Sequence, residues 1–227
     1  SACLVGSEMC IRDSKDGFSG GHPSESFYGG LPNKQTRVEF EICEKTAASV
    51  LEQIGTLYFN DQRKFGFCKV LETSEVMNEP FIKKLAKEPW DMTDEEFKKN
   101  LMRHKKALIK PTILDQAVIC GLGNIYADES LYFAKIHPER IVESLTDEEI
   151  HELLIGARTV MQESIDSGGS TMATYVKADG TKGDYLTKFA KVFRREGEPC
   201  EQCGTEIIKI KVAGRGTHLC PYCQKKF

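Results

Sequence analysis

KPTILDQAVICGLGNIYADESLYFAKIHPER, residues 110–140, is the stretch from which the fold is read. It divides into two helices at Gly121-Leu122-Gly123, and Asn124 stands at the start of the second. Glycines directly ahead of a helix leave backbone N–H groups free at the positive end of the helix dipole. With the Asn124 amide they make an anion site, for which a DNA phosphate is one candidate. The alternative is an ordinary N-cap after a glycine turn, and taken alone the stretch fits that better.

Helical periodicity extends to both sides. Thr93 with Glu96 forms a capping box ahead of Phe97 and Leu101, and Thr146 with Glu149 forms a second. The second box opens a helix whose Ile150, Leu153, Leu154, Ala157, Met161 and Ile165 share one face, and Gly168-Gly169 ends it. Further upstream the pattern is that of strands: 36–43 alternates around Val38, Phe40 and Ile42, and 56–59 and 65–71 are rich in aromatic and β-branched residues. Residues 15–35 are glycine- and proline-rich and read as loop, as does the stretch from Gly169 to about Gly183. Residues 1–14 show no clear period and resemble translated adapter sequence, so they are set aside as a non-native head.

Nine cysteines divide unevenly. Cys3, Cys10, Cys43, Cys68 and Cys120 stand alone and are expected to be small buried hydrophobes in a reducing cytosol. Cys200, Cys203, Cys220 and Cys223 form two Cys-x-x-Cys pairs with sixteen residues between. Each pair sits in a turn rich in Gly or Pro that aims two thiolates at one point, which fits a tetrahedral Zn²⁺ site better than disulfides or a redox pair. Four thiolates leave no open coordination position, so the expected metal is one structural Zn²⁺.

The chain has 227 residues with 31 Lys+Arg against 34 Asp+Glu, and no apolar run approaches the ~20 residues that cross a bilayer. A net charge of −3 argues at first against a nucleic-acid partner. Its distribution reverses the inference. Residues 184–227 carry nine Lys/Arg and five acids, leaving −7 on residues 1–183. A basic module on an acidic body supplies the local surface that phosphate binding needs, although a solvated charged hairpin has the same composition. Arg215 stands between Gly214 and Gly216 in that module, either as a phosphate contact or as an ordinary hairpin tip.

Residues 109–140 resemble the helix–two-turns–helix module of the formamidopyrimidine-DNA glycosylase / endonuclease VIII family. EPCEQCGTEIIKIKVAGRGTHLCPYCQ resembles its C-terminal zinc finger, and FNDQRKFGF the strand and loop before the helices. The match runs from about Pro32 to Phe227 and favours the formamidopyrimidine branch. It implies an α+β chain: a remnant of the N-terminal β-sandwich at 15–80, a helix–two-turns–helix domain at 81–183 with a lesion-recognition loop at 168–183, and a zinc-finger β-hairpin domain at 184–227. It further implies removal of oxidised purines such as 8-oxoguanine and formamidopyrimidine from double-stranded DNA, followed by strand nicking, by a monomer in the bacterial cytosol.

Residue by residue, the resemblance assigns Asn124 and Arg215 to the phosphates flanking the lesion, so that the base turns out. Phe65 becomes a wedge at the vacated step and Arg63 a partner for the orphaned base, although a core role fits Phe65 equally well. Ser170, Thr174 and Tyr175 surround the flipped base. Lys110 matches a lysine near the active site and counts among the DNA-binding residues, and Glu129 matches a family glutamate.

The family's nucleophile is an N-terminal Pro followed by Glu: a secondary α-amine is more often unprotonated than lysine and can attack the sugar C1′. This chain begins Ser1-Ala2-Cys3, and its Pro-Glu dipeptide is Pro138-Glu139. The expectation is a truncated product without catalytic residues, inactive as it stands. A non-catalytic, zinc-dependent damaged-DNA-binding module uses the same contacts. A zinc ribbon for RNA or protein accounts for the cysteines but not for residues 63–66 or 123–129.

Overall fold

The computed structural model describes residues 2–5, 31–45, 51–61, 67–167, 169 and 185–226. The expectations for Arg63, Phe65, Ser170, Thr174 and Tyr175 lie outside the described residues. The chain forms two compact units, one of Ser1–Val76 with Ser167–Leu186 and one of Met77–Asp166 with Thr187–Phe227.

In the first unit, β1 (Ala2–Val5) pairs antiparallel with β4 (Phe67–Val70), and β2 (Thr36–Lys45) pairs antiparallel with β3 (Leu51–Asn60). Two expectations change. Residues 2–5, set aside with the rest of 1–14, form a strand: four residues are too few to show a period, and only the partner strand reveals the pairing. Strand β3 begins five residues before the expected 56, because backbone pairing such as Cys43↔Gln53 carries it through polar and glycine positions. Ile42, Leu51, Ile54 and Val70 stay exposed on these two-stranded sheets.

The second unit is helical with a zinc hairpin. Its helices are α1 (Pro80–Lys84), α2 (Asp94–Met102), α3 (Ile109–Ile113), α4 (Asn124–Phe133) and α5 (Asp147–Asp166). Strands β5 (Ile208–Val212) and β6 (Arg215–Leu219) form the hairpin. Helical and zinc segments, separable in sequence, thus pack as one body.

Both capping boxes form. Thr93 Oγ1 accepts from Glu96 N at 3.2 Å while a Glu96 carboxylate oxygen accepts from Thr93 N at 3.0 Å, and Thr146 and Glu149 repeat this at 3.2 and 2.9 Å. Phe97, Leu101, Ile113, Leu122, Leu131, Ile136 and the α5 residues Ile150, Leu153, Leu154 and Ala157 make the core. Met161 packs at its edge, but Ile165 is exposed, and Val160 and Ser164 are buried instead. Two successive steps of four residues carry the expected stripe about 80° around a helix of 3.6 residues per turn, off the buried face. Gly156 lets α5 approach α4: an added Cβ would meet Phe133 Cδ1 at 3.0 Å and the Ser130 carbonyl at 3.1 Å.

Among the described residues no helix is long and apolar enough to cross a membrane. Three of the lone cysteines are not the buried hydrophobes expected: Cys43 is exposed and Cys68 and Cys120 are half-buried.

Candidate nucleic-acid interface and metal centre

Helix α4 carries the site. Ala127 and Leu131 enter the helical core, while Asn124, Asp128, Glu129 and Tyr132 meet the zinc segment. Positions 124, 128 and 132 recur at four-residue spacing and therefore share a face. That is why a helix with buried Asp128, Glu129 and Ser130 can exist: the two carboxylates are satisfied by a second element, and the Ser130 hydroxyl donates to the Tyr126 carbonyl within the helix.

Asn124 is not the N-cap. Gly123 takes that position with no side-chain capping bond, which leaves the start of the ten-residue helix without a side-chain cap. Freed from capping, the Asn124 Nδ2 donates to the Gly216 carbonyl at 3.1 Å. Its second N–H is left for an outside acceptor. The adjacent residue on β6 is Arg215, exposed and with no acidic partner among the described residues. A tight hairpin presents it. Val212 faces Arg215 in the register, and Ala213 and Gly214 between them have φ of 46° and 82°. Positive φ at both loop positions is the I′ geometry that matches strand twist. Gly216 thus ties the strand end that carries Arg215 to the uncapped helix start, an arrangement suited to anions.

Lys110 corrects the sequence reading. It is fully buried, not at a DNA-facing surface, and its Nζ is engaged inside the fold. It lies 2.6 Å from Asp128 Oδ1, 2.7 Å from Thr217 Oγ1 and 3.0 Å from the Gly216 carbonyl. Burial pulls its pKa below the ordinary lysine value, and the Asp128 carboxylate opposes that. Asp128 Oδ2 also accepts from His218 N at 2.9 Å, and the His218 ring bridges Asp128 and Glu196 at 3.4 and 3.2 Å. Lys110 is therefore a positioning residue for the strand that bears Arg215.

Glu129 fixes the chain entering the zinc segment. Its Oε2 accepts from Lys191 N at 2.8 Å, and its Oε1 from Val192 N at 3.0 Å and Phe193 N at 2.8 Å. Burial raises its pKa, against the three N–H groups that favour the carboxylate.

Among the described residues, Cys200, Cys203, Cys220 and Cys223 bring their four Sγ atoms within 4.8 Å of one another. Burial raises the Cys220 and Cys223 thiols, whereas hydrogen bonding to Thr205 lowers Cys203 to about 6. A central dication is what allows all four to ionise together, so the set fits one structural Zn²⁺. Tyr132 of α4 sets its hydroxyl 3.2 Å from Cys200 Sγ. Gln224 accepts from Cys220 N at 2.9 Å and donates to the Ile136 carbonyl at 3.0 Å, tying the second knuckle to the helices.

The helical segment at 85–176 matches the family model of the formamidopyrimidine-DNA glycosylase H2TH domain, and 197–226 matches that of the zinc finger found in FPG and IleRS. A formamidopyrimidine-DNA glycosylase of Heliobacterium modesticaldum is 40% identical over 193 residues, covering 84% of this chain and 69% of the relative. The chain belongs to the formamidopyrimidine-DNA glycosylase family. The homologue from Exiguobacterium sp. is 42% identical over 173 residues, 75% of this chain, and the chain spans 62% of that relative's length. Among solved structures, the MutM (FPG) protein of Thermus thermophilus superposes with a TM-score of 0.73 at 37% identity, covering 86% of this chain and 71% of that one. A complex of Lactococcus lactis Fpg with an abasic site containing DNA gives 0.69 at 40% identity, covering 78% and 65%.

Of the expected site residues, the structure joins Asn124 and Arg215 through Gly216, gathers the four cysteines, and moves Lys110 inside. Asp128, Thr217, His218 and Gln224 are site residues that sequence reasoning missed. Asp128 had a signal, since it lies four residues after Asn124 on a helix flanked by apolar residues.

Proposed function

We propose that this chain grips duplex DNA carrying an oxidised purine, as the DNA-binding half of a base-excision glycosylase and AP lyase. The observation that carries the reading is the shared Gly216 carbonyl, bonded by Asn124 and Lys110 at 3.1 and 3.0 Å beside the exposed Arg215. An asparagine amide on an uncapped helix and an exposed guanidinium on a tight hairpin can hold two backbone phosphates and pinch the strand between them. On the same reading Phe65 fills the vacated step, Arg63 bonds the orphaned base, and Ser170, Thr174 and Tyr175 receive the flipped one. The chain acts as a cytosolic monomer.

The family identity and the complexes of Lactococcus lactis Fpg with Fapy-dG DNA and of MutM with carbocyclic 8-oxo-G DNA support DNA as partner and 8-oxoguanine or formamidopyrimidine as substrate class. The test is binding by the zinc-loaded 227-residue chain to a duplex with one tetrahydrofuran abasic analogue, against the undamaged duplex. Tighter binding to the analogue is expected, and equal affinity contradicts the reading. Borohydride trapping on 8-oxoguanine DNA, run in parallel, separates lyase chemistry from a role confined to binding.

A further inference from the structure

A concavity in the helical segment shares no residue with the phosphate clamp. Helices α1 and α2, the 85–87 connection and Ala117 enclose about 370 Å³. Its apolar lining is Met92, which is buried, and Leu85, Ala86 and Ala117, which are half-buried. Lys83, Lys84, Lys99 and Arg103 line it as well; all four are exposed, and no acid among the described residues forms an ion pair with them. The pocket's acid, Glu96, is engaged by Lys87 at 2.6 Å and by Thr93 N at 3.0 Å, and its charge is also felt by Lys99 one turn on. Lys83, Lys84 and Arg103, with Lys99 beside Glu96, crowd positive charge around one small cavity, and like charges this close repel one another.

We propose that this pocket docks an acidic peptide segment of a partner protein, with an aliphatic side chain seated in the cavity and flanking carboxylates on the four cations. Charge complementarity selects an anionic ligand. The lining selects peptide over nucleic acid. Single strands bind on aromatic platforms along an open groove, and no lining residue here is aromatic. At about 370 Å³ the cavity lies in the size range of pockets that take compact apolar groups with a few polar anchors.

The test uses the zinc-loaded full chain and a fluorescein-labelled Asp-Glu-Asp-Asp-Leu-Leu hexapeptide, read by anisotropy at low salt. Saturable binding is expected that weakens as salt rises and when both leucines become serine. Lys84→Glu/Arg103→Glu is expected to weaken it by at least about tenfold, since two attractions become repulsions. Lys83→Ala/Lys99→Ala, less perturbing, is expected to weaken it several-fold. Affinity for the abasic-analogue duplex stays unchanged in both variants, which keeps this result separate from the clamp. Absence of saturable binding overturns the proposal, as does charge reversal without effect. Hexathymidylate binding that disappears in the same variants overturns it in favour of nucleic acid. Self-association that disappears in them overturns it in favour of a second copy of the chain.

Discussion

The Lys110 ammonium sits 2.6 Å from the Asp128 carboxylate with both side chains at most 1% exposed, and the pair joins the short helix before the glycine turn to the helix after it. Desolvating two charges is expensive, so the pair matters less for net stability than for what it holds in place. Through Gly216 and Thr217 it sets the strand that begins with Arg215.

Lys110→Met strands the Asp128 carboxylate in the interior and should cost about 3–5 kcal/mol in urea unfolding. Asp128→Asn removes that charge but keeps an acceptor for His218 N. The double variant should therefore recover on the order of 1 kcal/mol or more relative to Lys110→Met. Losses that simply add would contradict a coupled pair.

Glu129→Gln keeps the shape but swaps one carboxylate oxygen for an N–H₂ facing an amide donor. At least one of the Lys191, Val192 and Phe193 amides loses its acceptor, at about 1–3 kcal/mol. Hydrogen exchange is the direct readout: protection at residues 191–193 should fall while that in α5 holds.

Gly156→Ala opposes two effects. Helix propensity gains about 1 kcal/mol. The new Cβ meets Phe133 Cβ and the Ser130 carbonyl, both at 3.1 Å, and overpacking of that kind costs about 1–3 kcal/mol. Because one obstacle is backbone, packing should win, and the thermal midpoint should fall. A raised midpoint would show that α4 yields easily.

Removing zinc should unfold the segment that carries Arg215, since structural Zn²⁺ supplies on the order of 10 kcal/mol of folding free energy in zinc-finger peptides. Titration with a chelator should therefore abolish duplex binding along with the near-ultraviolet signal of Tyr222, which lies between two ligands. Duplex affinity that survives complete zinc loss would contradict this dependence.

Local patterns carried the fold where the chemistry was local. The capping boxes at Thr93 and Thr146 and the Cys-x-x-Cys turns each specify a geometry within a few residues, and each formed as read. What was not legible depends on contacts distant in sequence. Lys110 resembles a surface cation until Thr217, 107 positions away, is seen to accept its proton donors. Asn124 resembles an N-cap until Gly216 draws its amide across 92 positions. Strand β1 was missed because four residues carry no period and need the 67–70 partner to define them.

The most direct test of the clamp is the salt dependence of binding to the abasic-analogue duplex for the zinc-loaded chain, Arg215→Ala and Asn124→Ala. Each phosphate neutralised by a cation contributes about 0.9 to the slope of log affinity against log salt. Arg215→Ala should weaken binding across sequences and flatten the slope by about one unit. Asn124→Ala should weaken binding with the slope retained, because an amide displaces no counterion. An Arg215→Ala slope equal to that of the unaltered chain would remove the guanidinium from the phosphates and contradict the account.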